Sequence, residues 1–84
     1  MIQFPYSYNG IAGVNIADIH DAKSGWYRLE SWTACNNKAA GSGVIICWEI
    51  GETRKMILTI NTYGKLFLSV YWDGKWEKDN YEII

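Results

Sequence analysis

The stretch KLFLSVYWDGKW, residues 65–76, decides the fold. Leu66, Leu68, Val70 and Trp72 fall at every second position, with Phe67, Ser69 and Tyr71 between them, which is the period of a β-strand. Asp73-Gly74 then supplies a two-residue hairpin turn, since Gly accepts positive φ freely and Asp tolerates it. Lys75-Trp76-Glu77 starts the return strand, which continues loosely to Tyr81-Glu82-Ile83-Ile84.

The same grammar extends towards the N-terminus. Residues 54–62 place Met56, Leu58 and Ile60 on one face, and Tyr63-Gly64 turns the chain into residue 65. Residues 43–50 gather Val44, Ile46, Trp48 and Ile50, and Gly51-Glu52-Thr53 is the next turn. Residues 25–32 alternate as well, with Tyr27, Leu29 and Ser31 opposite Trp26, Arg28, Glu30 and Trp32. A polar loop, residues 33–42, separates these two strands. Alternation punctuated by turns specifies an all-β fold: a small antiparallel meander forming a sandwich or open barrel. One short helical turn is expected at Ala17-Asp18-Ile19-His20-Asp21, capped by Asp or Asn. Residues 1–16 lack periodicity and read as an N-terminal arm, leaving residues 17–84 as the β domain.

Eighty-four residues make one small domain, and such a chain buries only about 60% of its unfolded surface. Five Trp, six Tyr and two Phe compensate, because each ring can bury roughly 150–250 Å². A core this small cannot absorb them all, so some are expected to face a partner. Alternation assigns Tyr27, Trp48, Leu68 and Trp72 to the core. It leaves Trp26, Trp32, Tyr71 and Trp76 as stacking platforms or interface anchors.

Charge and motif exclude several function classes. The net charge is −1 with no basic stripe, so nucleic acid is not an expected partner. No apolar run approaches the ~20 residues of a membrane span, and the start of the chain has no signal-peptide character. Cys35 and Cys47 lack the second pair of a zinc site and read as reduced thiols, with a disulfide as the alternative under oxidising conditions. His20 is the one histidine, beside Asp18 and Asp21, without metal-site spacing; an exposed, locally hydrogen-bonded turn explains it. Glu30, Glu49 and Asp73 lie among tryptophans as glycosidase acids do, yet so small a chain builds no deep cleft. No enzyme activity, cofactor or metal is expected.

The order Ile19, Ser24-Gly25-Trp26-Tyr27-Arg28 and Asn36-Asn37 resembles the start of the knob-like modules of phage tail fibres and pyocin fibres. Gly43-Val44-Ile45-Ile46, Gly64-Lys65-Leu66-Phe67 and Tyr71-Trp72-Asp73-Gly74-Lys75-Trp76 continue the likeness over residues 17–84. Lys38 and Ser69 stand where these modules often carry Pro and Arg. The resemblance implies a non-enzymatic virion component, assembled in the host cytoplasm and usually homotrimeric. Such a component binds a host-surface glycan or another virion protein. A small phage-encoded inhibitor or adaptor that binds a host protein is the rival expectation.

Overall fold

The computed structural model describes residues 7–84. Six strands form one sheet in chain order: β1 (Tyr8–Ile11), β2 (Gly25–Leu29), β3 (Gly43–Gly51), β4 (Arg54–Asn61), β5 (Leu66–Trp72) and β6 (Lys75–Glu82). β2 to β6 are an antiparallel meander, as the alternation predicts, while β1 runs parallel to β2. The Asp73-Gly74 turn has φ of 50° and 87°, the positive pair that matches the right-handed twist of the flanking strands. At the opposite end of the sheet, the Asn61 carboxamide oxygen accepts from the N–H groups of Tyr63 and Lys65, and its Nδ2 donates to the Ala40 carbonyl. One buried side chain thus fixes both the β4–β5 turn and the long loop.

The expected helical turn forms as a 3-10 turn at Ile19–Asp21, capped by Asp18, whose Oδ1 accepts from the His20 N–H at 2.9 Å. Strand β2 ends at Leu29, short of the expected residue 32, and the chain enters the loop that carries Trp32.

Among the described residues, the fully buried apolar side chains of the sheet lie on one face. Tyr27, Leu29, Ile45, Cys47 and Ile57 form this core with Ala12, Ile19 and Ala22 from the chain that crosses over them. A second layer exists, then, but non-strand segments build it, not a second sheet. The two layers meet closely at Cys47, whose Sγ donates to the Ala22 carbonyl at 3.6 Å, and both residues are fully buried. Polar atoms in the seam are satisfied. Thr33 Oγ1 donates to the Ala12 carbonyl at 2.7 Å, and the Tyr27 hydroxyl accepts from the Lys23 N–H at 3.0 Å. Burying each large side chain here is worth about 1.5–3 kcal/mol.

Two expectations are corrected. Residues 7–16 are not an arm: β1 joins the sheet and Ala12 is fully buried, while residues 1–6 lie outside the described residues. β1 can dock because residue 25 has no side chain. A Cβ on Gly25 would stand 2.4 Å from the Ser7 carbonyl oxygen, which accepts from the Trp26 N–H. Of the four expected core residues, Tyr27 is buried, but Trp48, Leu68 and Trp72 point to the other face. There Trp48 and Leu68 are half-buried and Trp72 is 40% exposed. Alternation places β3 to β6 but picks the wrong inward face: the covering layer packs on the odd-numbered positions of β2 to β5.

Candidate interaction surface

Directly paired residues of neighbouring strands share a face, so the register reads out the open side row by row. Trp26, Ile46, Leu58, Leu68 and Tyr81 form a line across β2 to β6. Arg28, Val44, Ile60 and Leu66 flank it on one side, and Trp48, Met56, Val70 and Lys78 on the other. Arg54, Trp72 and Lys75 close the surface near the Asp73-Gly74 turn.

None of these residues belongs to the buried core. Five strands at ~4.8 Å spacing and about seven residues at ~3.3 Å give a footprint of roughly 550 Å².

The rim of this face is aromatic and charged. The Tyr8 and Trp26 rings meet with centroids 4.5 Å apart. The Arg54 guanidinium lies 4.3 Å over the Trp72 ring and pairs with Asp73 at 3.1 Å. The Lys78 ammonium lies 4.4 Å from the Tyr81 ring centroid. Arg28 pairs with Glu30 at 3.0 Å, and that carboxylate is the main cause raising the Arg28 pKa.

A second exposed aromatic group sits at the loop end, where β2 and β4 finish and β3 and β5 begin. Trp32 is 68% exposed, and its Nε1–H donates to Glu30 Oε2 at 3.0 Å. Glu30 therefore tethers the indole by its N–H while most of the side chain stays exposed. Tyr63, in the β4–β5 turn, is 71% exposed.

The four expected binding residues separate accordingly. Trp26 is on the open face and Trp32 at the loop end. Tyr71 and Trp76 lie on the covered side, their ring centroids 5.0 Å apart, and Trp76 packs against the core. Tyr63 and Tyr81 are exposed aromatics that alternation did not single out. Tyr63 sits in a turn and Tyr81 follows a bulge, where the period-2 rule lapses.

His20 is better connected than an exposed turn residue. Its ring stacks on Trp76, its Nε2 meets Asp79 Oδ1 at 3.0 Å, and the Lys55 ammonium donates to its carbonyl at 2.9 Å. Asn37 Nδ2 donates to Asp18 Oδ1 at 2.9 Å and is 3.4 Å from His20 Nδ1. The hydrogen bonds from Asn37 and from the His20 N–H hold the Asp18 carboxyl below its usual pKa. Among the described residues, no hydroxyl or thiol bonds to this histidine. The cluster fastens the 3-10 turn and the Asn36-Asn37 loop to β6. Glu30, Glu49 and Asp73 have separate tasks: Glu49 Oε1 accepts from the Ser24 N–H at 2.8 Å, while the other two hold Arg28 with Trp32, and Arg54. Among the described residues, no group of three or more His, Cys, Asp or Glu could hold a metal ion.

Cys35 and Cys47 are free thiols. Burial pushes the Cys47 pKa up to about 12, and its Sγ donates to the Ala22 carbonyl at 3.6 Å. Desolvation, then the Asp18 charge, also raises Cys35.

The fold defines a small all-β domain whose sheet buries its core on one face and carries a second apolar set, half-buried or exposed, on the other. The chain matches no protein-family model, no curated protein and no solved structure.

Proposed function

We propose that the domain is a non-enzymatic virion fibre module that works by association. In this reading copies assemble as a trimer, and the loop end presents Trp32 and Tyr63 to a host-surface glycan. The observation that carries it is the segregation of apolar side chains. One face of the sheet supplies the whole core, and the other keeps a comparable set half-buried or exposed. A domain of this size keeps such a surface at a cost in solubility unless something covers it. The ordered motifs around Gly25-Trp26-Tyr27 and Tyr71-to-Trp76 add the fibre character. At the loop end, the Trp32 ring has the large area and low rotamer entropy that stacking on a sugar requires.

Native mass measurement at micromolar concentration tests the assembly: three chains are expected, and a single-chain mass contradicts it. Binding to envelope polysaccharide, lost in Trp32→Ala, tests the ligand.

A further inference from the structure

We infer that Asn9-Gly10 is a self-modification site that stays closed while β1 is docked. Deamidation there turns the side chain that latches β1 into one that cannot hold it.

The latch is the Asn9 carboxamide. β1 is a four-residue edge strand whose one neighbour is β2. Asn9 Nδ2 donates to the Ser24 carbonyl at 3.0 Å and to the Lys23 carbonyl at 3.3 Å, just before β2 begins. Both partners only accept, so position 9 needs an NH2 group. An acid there would set a carboxylate, which has no proton to give, against two carbonyl oxygens. The amide fits because residue 25 has no side chain: a Cβ on Gly25 would stand 2.4 Å from Asn9 Nδ2.

A separate contact fixes glycine at position 10. A Cβ there would stand 2.1 Å from Asn15 Oδ1, the atom that accepts from the Ile11 N–H at 2.8 Å. The fold thus requires Asn followed by Gly, and Asn9 alone among the asparagines precedes a glycine. In this dipeptide the carboxamide is attacked most readily, because no side chain shields the next backbone nitrogen.

The reaction needs only water. The Gly10 nitrogen bonds to Asn9 Cγ, the Cγ–Nδ2 bond breaks, and ammonia leaves with the Gly10 amide proton. Water then opens the cyclic imide at either carbonyl, giving an aspartyl or an isoaspartyl residue. In docked β1 the leaving nitrogen is held by Lys23 and Ser24, and turning the carboxamide towards Gly10 breaks both bonds. Attack therefore runs through local undocking of the strand. The product has lost both donors, and the isoaspartyl link also lengthens the backbone beside the Ser7–Trp26 hydrogen bond. Release of β1 by this route is one-way.

Peptide mapping of the full chain at mildly alkaline pH follows the amide-to-acid mass change at Asn9; isomerisation at Asp73-Gly74 leaves the mass unchanged and does not interfere. Conversion should be at least about tenfold faster in guanidinium than in buffer, and Gly25→Ala should bring the rate in buffer close to the guanidinium rate. Equal rates for the wild-type chain in buffer and guanidinium overturn the closure by docking. A wild-type rate in Gly25→Ala overturns the latch. Should Gly25→Ala fail to fold, Asn9→Asp made directly decides. Amide exchange at Trp26, whose N–H is bonded to the Ser7 carbonyl at 2.8 Å, should be at least about tenfold faster in that variant, with Ile57 unchanged. Wild-type exchange at Trp26, or a rise shared equally by Ile57, overturns the inference.

Discussion

The His20 imidazole lies flat on the Trp76 indole, with ring centroids 3.9 Å apart and planes 18° from parallel. With the 3.0 Å contact from His20 to Asp79, 59 residues away in sequence, this stack fastens the covering layer to the last strand. His20→Ala should therefore lower stability by about 1–3 kcal/mol in urea unfolding. Hydrogen exchange at Ile19 and Ala22 should speed up, and unchanged exchange there would show that the stack is ornamental.

Acid should loosen the same region. The Asp18 carboxyl has a folded pKa below its unfolded value of about 3.9. Its contribution is thus present above that pH and is lost as pH falls through the folded value. Asp18→Asn, which keeps an oxygen acceptor for the His20 N–H, should flatten the acid limb of the urea midpoint plotted against pH. A limb as steep as the wild type would place the titration elsewhere.

Alkali acts through Cys47. Its folded pKa is pushed up to about 12, against about 8.5 for an unfolded thiol. Its share of stability is complete below the unfolded value and is lost as pH rises towards the folded one. At pH 8 a thiol reagent should reach half-buried Cys35 first and Cys47 only through unfolding; in urea the two should react alike. Equal rates without urea would contradict the burial of Cys47.

Gly25→Ala should release β1. The substitution sets a Cβ 2.4 Å from the Ser7 carbonyl oxygen, at a residue whose φ is +135°. A loss of at least about 2 kcal/mol is expected in thermal unfolding. A wild-type melting temperature would mean that β1 contributes nothing.

Much of this was legible in the chain. The hairpin at Asp73-Gly74, the strand periods and the capped turn at Asp18 all follow from local chemistry. The side of the sheet that becomes core does not. Val44, Ile46, Met56, Leu58, Leu66, Leu68 and Val70 are the more apolar set, and hydrophobicity alone sends them inward. The structure buries Ile45, Cys47, Ile57, Thr59 and Ser69 instead, because the segment that supplies Ala12, Ile19 and Ala22 crosses on that side. The His20–Trp76–Asp79 contact carried no local signal, since its members meet only through the topology. The exposed Trp32 could be suspected from sequence, whereas its restraint by Glu30 depends on β2 ending at Leu29.

Neighbouring residues on β4 provide the most direct test of the central claim, that the covered face is the core and the open face is for association. Ile57 is 1% exposed in the core, and Leu58 points the other way, half-buried. Far-UV circular dichroism of Ile57→Asp and Leu58→Asp should show the first chain unfolded and the second retaining its β signal. A Leu58→Asp chain that unfolds as completely as Ile57→Asp would contradict the account.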